Sequence, residues 1–594
     1  MSMAWLRTLS RPFGLPPVSR LAERPFGRLV AHFLARMVRG GQGSASSEFE
    51  LGLPVVLGLL AAPGAFFCFL MLDKYSSFLN WMRGSLRYDL YLTSATDKYL
   101  FISVAMAVTG IMTVLKWDQI LPDSQDYLNL APLPIRPRMV LLANAAAIAI
   151  AVTVVALDVN AIPSLLFPMF VTAALRTSFA GFLQFVAIHA ATVLLASLFT
   201  ICAMFAVLGT LSAVLPRETF RACSSWVRGL LLVALLALLA SGFAGPALIG
   251  GIERFPDSPL RFLPSLWYTG LYQSMQHRAS PALAGLARWG LDATLAAAVW
   301  MMIAYALSYR RRFAGVLEGG RRPSQQTMIR VLLALLDRFA PRRPGFGRAC
   351  HRFAVRALLR NEAHRLVLAV AIGLGWLIAF QDISGAPPDG AGKVPALALL
   401  QAPLAVAYLL VLGLRLAFEL PCGVAANWVF RAVLNPRENE TIGVARRLVL
   451  GFLTLVVLAP ALAFYWWRWG PAVSALQTLY VLGLSVLLAE FQFAGYRKVP
   501  LTCPMPGFRD NLLMLCLIQF LGYQAFTRVG AALEQWMFAD PWRFLLLPAA
   551  MAWAWRWNLR RLQNAREAGE LEEGVTFENA PIRAVERLNL SGGA

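Results

Sequence analysis

What most constrains this chain is a succession of about twelve apolar runs, each near the ~20 residues that a helix needs to cross a hydrocarbon layer. In the first half they cover Leu51 to Leu72, Tyr99 to Trp117, Met139 to Leu157, Gly181 to Leu211, Trp226 to Ile249 and Leu286 to Tyr309. In the second half they cover Leu366 to Phe380, Ala396 to Phe418, Leu448 to Trp467, Ala472 to Glu490, Asn511 to Leu533 and Trp542 to Trp557. With 58% hydrophobic and 14% charged residues, the chain is far too apolar for an ordinary water-soluble domain. Lipid leaves backbone N–H and C=O groups no outside partner, so each run satisfies its own as a helix. The fold class expected is therefore an all-α polytopic membrane protein of about twelve transmembrane helices.

The formal net charge of +22 could suggest nucleic acid, but the arginines sit beside the apolar runs. There, positive charge orients helices and attracts anionic lipid, so the expected partner is membrane lipid and not nucleic acid. The first fifty residues hold seven arginines and no early apolar core, unlike a cleaved signal peptide. Arg310 to Arg365 carries fourteen arginines, whereas the loops Asp73 to Lys98 and Gly250 to Gly285 carry four and three basic residues. The positive-inside rule then places the central segment and both termini in the cytoplasm of a cell, expected to be bacterial, with the chain in its inner membrane.

From Phe26 the apolar residues Leu29, Val30, Phe33, Leu34 and Met37 recur at helical spacing, opposite Arg28, His32, Arg36 and Arg39. This predicts an amphipathic helix ahead of the first run. A second series, Arg348, Arg352, Arg356 and Arg360, repeats the pattern ahead of the seventh. Each is followed by about six runs, which predicts two six-helix halves of one design fused in tandem. The organisation expected is a tail with an amphipathic helix (1–50), a first six-helix half (51–309), a basic linker with the second amphipathic helix (310–365), a second half (366–557) and a C-terminal tail (558–594). Between the fifth and sixth runs, Phe262, Trp267, Tyr268 and Tyr272 read either as short interfacial helices or as a plain aromatic belt.

Residues that carry chemistry are sparse. Seven scattered cysteines form no CxxC pair, and five histidines show no metal-ligand spacing, so no catalytic, cofactor or metal site is expected. Nor is there a phosphate loop, since Pro387 stands where one would need glycine ahead of Gly392-Lys393. Within the runs, His189 and Asp292 are the candidate coupling-ion groups, with Glu419 and Glu490 near run ends. For His189 an interhelical hydrogen bond is the simpler reading. The proline-rich Tyr496 to Pro504 reads as a solvated connector.

One polar interruption stands apart, Asp118 to Arg138, reading DQILPDSQDYLNLAPLPIRPR. Asp123 can cap a short helix with Asp126 in its first turn, Tyr127 and Leu130 share a face, and Pro132, Pro134 and Pro137 stiffen the link to the third run. This segment, with Leu133-Pro134-Ile135, Arg136 and Arg138, resembles the coupling region of type-two ABC exporter permeases. That family also has an amphipathic elbow helix before its first span and short external helices between its fifth and sixth. The resemblance implies a transporter permease with no enzyme activity of its own, working with a separate ABC ATP-binding subunit. The coupling residues it implies are Asp126, Tyr127, Leu130, Leu133, Pro134, Ile135, Arg136 and Arg138. The counterpart loop of the second half offers Trp428, Phe430, Arg431 and Glu438 but does not repeat Leu-Pro-Ile. An amphipathic or lipid-like cargo fits the scarcity of polar groups, and one chain suffices to form the pathway, with homo-oligomers allowed. The alternatives are an ion-coupled secondary transporter and a membrane-embedded lipid-linked transferase.

Overall fold

The computed structural model describes residues 25–39, 53–75, 90–117, 134–175, 177–316, 327–342, 345–385, 395–420, 422, 440–493, 496, 501 and 512–567. They are helical throughout their regular structure, and nine of the helices are long and apolar enough to cross a membrane. The chain is an all-helical, polytopic membrane protein. It divides into two compact units, one of Met1–Ser224 with Ala234–Arg322 and one of Ser225–Val233 with Pro323–Ala594.

The first unit is built on α1 (Pro25–Arg39), α2 (Leu53–Tyr75), α3 (Leu90–Leu115), α4 (Pro137–Leu175), α5 (Phe179–Val214), α6 (Arg217–Ser241), α7 (Gly245–Arg254), α8 (Pro264–Met275) and α9 (Pro281–Val316). The amphipathic α1 buries Leu29 and Phe33 against Val140, Ala143 and Ala147 at the start of α4. Burying two such side chains contributes about 3–6 kcal/mol, and the stripe spacing dictates which face is used. Further on, α5 packs on α3, α4 and α9, while α8 packs on α3 and α9.

Small residues set the closest approaches, as expected where lipid offers no hydrophobic drive between helices. A Cβ on Gly209 of α5 would lie 2.7 Å from the Cβ of Ala304 on α9. At the same crossing Ser308 Oγ donates to the Gly209 carbonyl at 2.7 Å and meets Ser212 Oγ at 2.5 Å. Gly64 of α2 receives the Pro163 ring of α4 in the same way, 2.5 Å from where a Cβ would stand.

The second unit contains α10 (Thr327–Asp337), α11 (Phe346–Arg360), α12 (Glu362–Gly385), α13 (Leu397–Glu419), α14 (Glu440–Leu453), α15 (Ala459–Trp469), α16 (Pro471–Gln492), α17 (Leu512–Gln524), α18 (Gly530–Ala539) and α19 (Leu546–Glu567). Two π-helical turns, Thr454–Leu458 and Ala525–Val529, join α14 to α15 and α17 to α18. The second basic amphipathic helix, α11, buries Cys350, His351, Ala354, Val355, Leu358 and Leu359 and packs on α14. It turns into α12 through the single extended residue Asn361, whose side chain accepts from Ala363 N at 3.0 Å and caps the new helix.

The two units share a packing scheme. In each, an amphipathic helix packs on the third of the following long helices, the second packs on the fourth, and the fourth on the last.

Several sequence expectations need correction. The helix of the second run begins at Leu90, not Tyr99, and the polar Ser94, Asp97 and Lys98 near its start are buried. The third extends to Leu175 despite Pro163 and Pro168. The fifth run breaks at Gly242–Ala244, where a 3-10 turn leads into Gly245 and Pro246 at the start of α7. Tyr268 and Tyr272 are fully buried and form no surface belt. Tyr496 and Leu501 are likewise buried. Leu501 N donates to the Phe418 carbonyl at 3.1 Å and its carbonyl accepts from Cys422 N at 2.8 Å, so Leu501 is pinned to the end of α13. Leu501 holds φ at 70° to do so, a strained conformation for a non-glycine residue.

Candidate functional site

The first unit encloses a cluster of buried charged and polar side chains from α2, α3, α5 and α8. Asp97 and Lys98 occupy the third turn of α3 and are 5% and 2% exposed. Asp97 accepts a hydrogen bond from the hydroxyl of Tyr75, the last residue of α2. Lys98 Nζ donates to Gln276 Oε1 at 2.6 Å, just beyond α8. Its ammonium lies 5.0 Å from the Tyr272 ring centre and 5.6 Å from that of Phe185, close enough for cation–π attraction. His189 of α5 meets the Tyr272 hydroxyl through Nδ1 at 3.2 Å, while its Nε2 has no partner among the described residues. Phe101 and Phe167 wall the imidazole on its remaining sides.

A buried ammonium and a buried carboxylate on adjacent residues keep the cluster neutral overall, which limits the desolvation cost that each would carry alone. Burial also raises the Tyr272 hydroxyl well above its ordinary range, so it stays protonated and serves as a neutral hydrogen-bonding group. The result is a polar tie between α3 and α8. Asp97 and Lys98 escape a reading of the sequence because LYLTSATDK looks like a polar loop. The usable signal is the helical spacing of Leu90, Ser94 and Asp97, which continues the period of the run after it. His189 does make the interhelical hydrogen bond expected of it, whereas Asp292 is exposed on α9.

A second group of buried polar atoms lies in the other unit. Glu534 of α18 and Gln477 of α16 are fully buried, and none of their side-chain oxygens or nitrogens has a hydrogen-bond partner among the described residues. Tyr480, one turn from Gln477, donates to the Gly530 carbonyl at 2.8 Å, one turn from Glu534. That bond ties α16 to α18. Tyr465 of α15 donates to the Leu399 carbonyl at 2.6 Å. Both hydroxyls are thus spent on backbone acceptors.

Towards the other end of that unit, carboxylates are paired. Glu490 accepts from Arg446 Nη2 at 2.5 Å and Glu419 from Arg415 Nη2 at 2.9 Å. Arg415 also lies 4.7 Å from the centre of the Tyr496 ring.

Of the residues expected to couple to a partner, Pro134, Arg136 and Arg138 are exposed at the start of α4. The Arg136 carbonyl accepts from Met139 N at 2.8 Å and so opens the helix. Ile135 is half-buried and packs against the cluster formed by Leu29, Phe33, Val140, Ala143 and Ala147. Asp126, Tyr127, Leu130 and Leu133 lie outside the described residues, as do Trp428, Phe430, Arg431 and Glu438. Among the described residues no His, Cys, Asp and Glu side chains gather as a metal site. Compared with protein families, curated proteins and solved structures, the chain matches none.

Proposed function

We propose that this chain is the permease of an ATP-driven ABC exporter, with two six-span halves, both termini in the cytoplasm and hydrolysis on a separate ATP-binding subunit. The observation that carries this reading is the double use of one joint. In each unit a basic amphipathic helix is packed on the long helix that follows the polar loop: α1 on α4 after Asp118 to Leu133, and α11 on α14 after the loop that holds Trp428. Ile135 ties the end of the first loop into that contact. A push on the loop would therefore move an amphipathic helix and a span as one body, which is what transmission from an ATPase requires. The short α7 and α8, between the fifth and sixth long helices, support the same layout. The twelve spans are then the nine apolar helices together with α2, the α17–α18 pair and α19. An amphipathic or lipid-like cargo suits the apolar interior.

A second reading, ion-coupled secondary transport, is favoured by Glu534, whose buried carboxyl has no partner among the described residues. One experiment separates them. The chain is purified with the products of its neighbouring genes, reconstituted in vesicles, and assayed for export of fluorescent lipid with ATP or with an imposed ion gradient. An associated ATPase and ATP-dependent movement are expected. Movement driven by the gradient alone, with no ATPase accompanying the chain, would overturn the exporter reading.

A further inference from the structure

The outward face of α11 carries a feature that neither export nor ion coupling explains. Ala349, Arg352, Phe353, Arg356, Ala357 and Arg360 share one helical stripe and, with Asn361 and Cys422, line a groove of about 730 Å³. Asn361 Nδ2 donates to Cys422 Sγ at 3.5 Å. Opposite, α11 is fixed to the protein by its buried face, so the groove belongs to a rigid wall. Arg352 is shared with Asp337 of α10 at 3.4 Å. Arg356 and Arg360 are exposed and have no carboxylate partner among the described residues.

We infer that this groove binds the headgroup of an anionic phospholipid, with phosphate on Arg356 and Arg360 and the upper acyl chain against Phe353, Ala349 and Ala357. Two observations favour a lipid over a soluble protein. The stripe alternates guanidinium groups with apolar surface, which matches a molecule that is charged at one end and greasy at the other. The groove is also lined by Asn361, one residue before α12, whose apolar length from Glu362 to Ile383 is long enough to cross the membrane. That single-residue joint holds the arginines at the level of the headgroups. Guanidinium groups suit phosphate because their fork of donors can bind two oxygens at once.

The test uses the full chain in detergent, titrated with phosphatidylglycerol or phosphatidylcholine and followed by native mass spectrometry. Phosphatidylglycerol is expected to be retained in preference to phosphatidylcholine, with the preference falling as salt rises. The double variant Arg356→Gln/Arg360→Gln should weaken phosphatidylglycerol retention about thirtyfold, from the contribution of two arginines near an anionic headgroup. Arg356→Lys/Arg360→Lys keeps the charges and should retain most of the preference, which separates loss of the site from loss of folding. Equal retention of the two lipids, an unchanged preference in the glutamine variant, or full displacement by inorganic phosphate would overturn the proposal. So would a glutamine variant that loses an associated ATPase while retaining the lipid.

Discussion

At the scale of single residues, the polar groups buried among the apolar helices make the sharpest expectations. Tyr75 supplies one donor to the buried carboxylate of Asp97. Tyr75→Phe keeps the ring and removes that donor, so it should cost about 1.5–3 kcal/mol, the range for hydrogen bonds to charged groups. Thermal unfolding of the purified chain checks this, and a melting temperature equal to that of the parent would show that the bond contributes nothing.

His351 makes a second case. It is buried under the α11 stripe with neither ring nitrogen partnered among the described residues. Burial lowers its affinity for protons, Arg447 and Arg352 act in the same direction, and Asp337 opposes them. A base whose folded form resists protonation adds stability above its unfolded value of 6.5, and that stability is lost as the pH falls. The parent should therefore lose more stability than His351→Leu between about pH 7 and about pH 5. Parallel losses in the two proteins would count against the assignment.

At the scale of helices, close approach through glycine is the recurring device. Gly209→Leu forces α5 away from Ala304 and disturbs the Ser212–Ser308 pair, so overpacking should cost about 1–3 kcal/mol. Gly250→Ala, where an added Cβ meets nothing within 4 Å, is the matched control. A purified Gly209→Leu protein that melts with the Gly250→Ala control would show that this crossing tolerates separation.

Helix existence was legible in the sequence because twenty-residue apolar runs admit little else in lipid, and the amphipathic helices declared themselves by arginines at every fourth position. Their ends were less legible. Asp97 and Lys98 find their partners in Tyr75, Tyr272 and Gln276 from elsewhere in the unit, and no local pattern announces partners that distant. The burial of Tyr268, Tyr272 and Leu501 was hidden for the same reason: aromatic and proline-rich loops look alike whether they face water or dock on a helix end. The π-turns before α15 and α18 left no composition signal at all.

At the scale of the whole molecule, the repeated joint sets the expectation for coupling. The first loop is followed by Pro134 and by Ile135, which packs against the cluster between α1 and α4, whereas the second half has no Leu-Pro-Ile. On the proposed exporter reading, changes at Arg136 and Tyr127 should therefore uncouple ATP hydrolysis from transport more than changes at Trp428. The measurement is the ratio of transport to hydrolysis in the reconstituted complex, and equal or reversed effects would refute the asymmetry.

The length of α4 also matters mechanically. Its apolar stretch runs 37 residues, Arg138 to Ala174, or roughly 56 Å at helical rise, against a hydrocarbon layer of about 30 Å. Such a rod exceeds the layer and is accommodated by leaning, bending or running beyond it, and Pro163 and Pro168 lie inside the helix where a bend would form. A leaning helix takes up more area in the plane of the bilayer when the bilayer is thin and less when it is thick. Membrane thickness and lateral tension are therefore expected to load the first unit through α4, the helix that begins at Pro137.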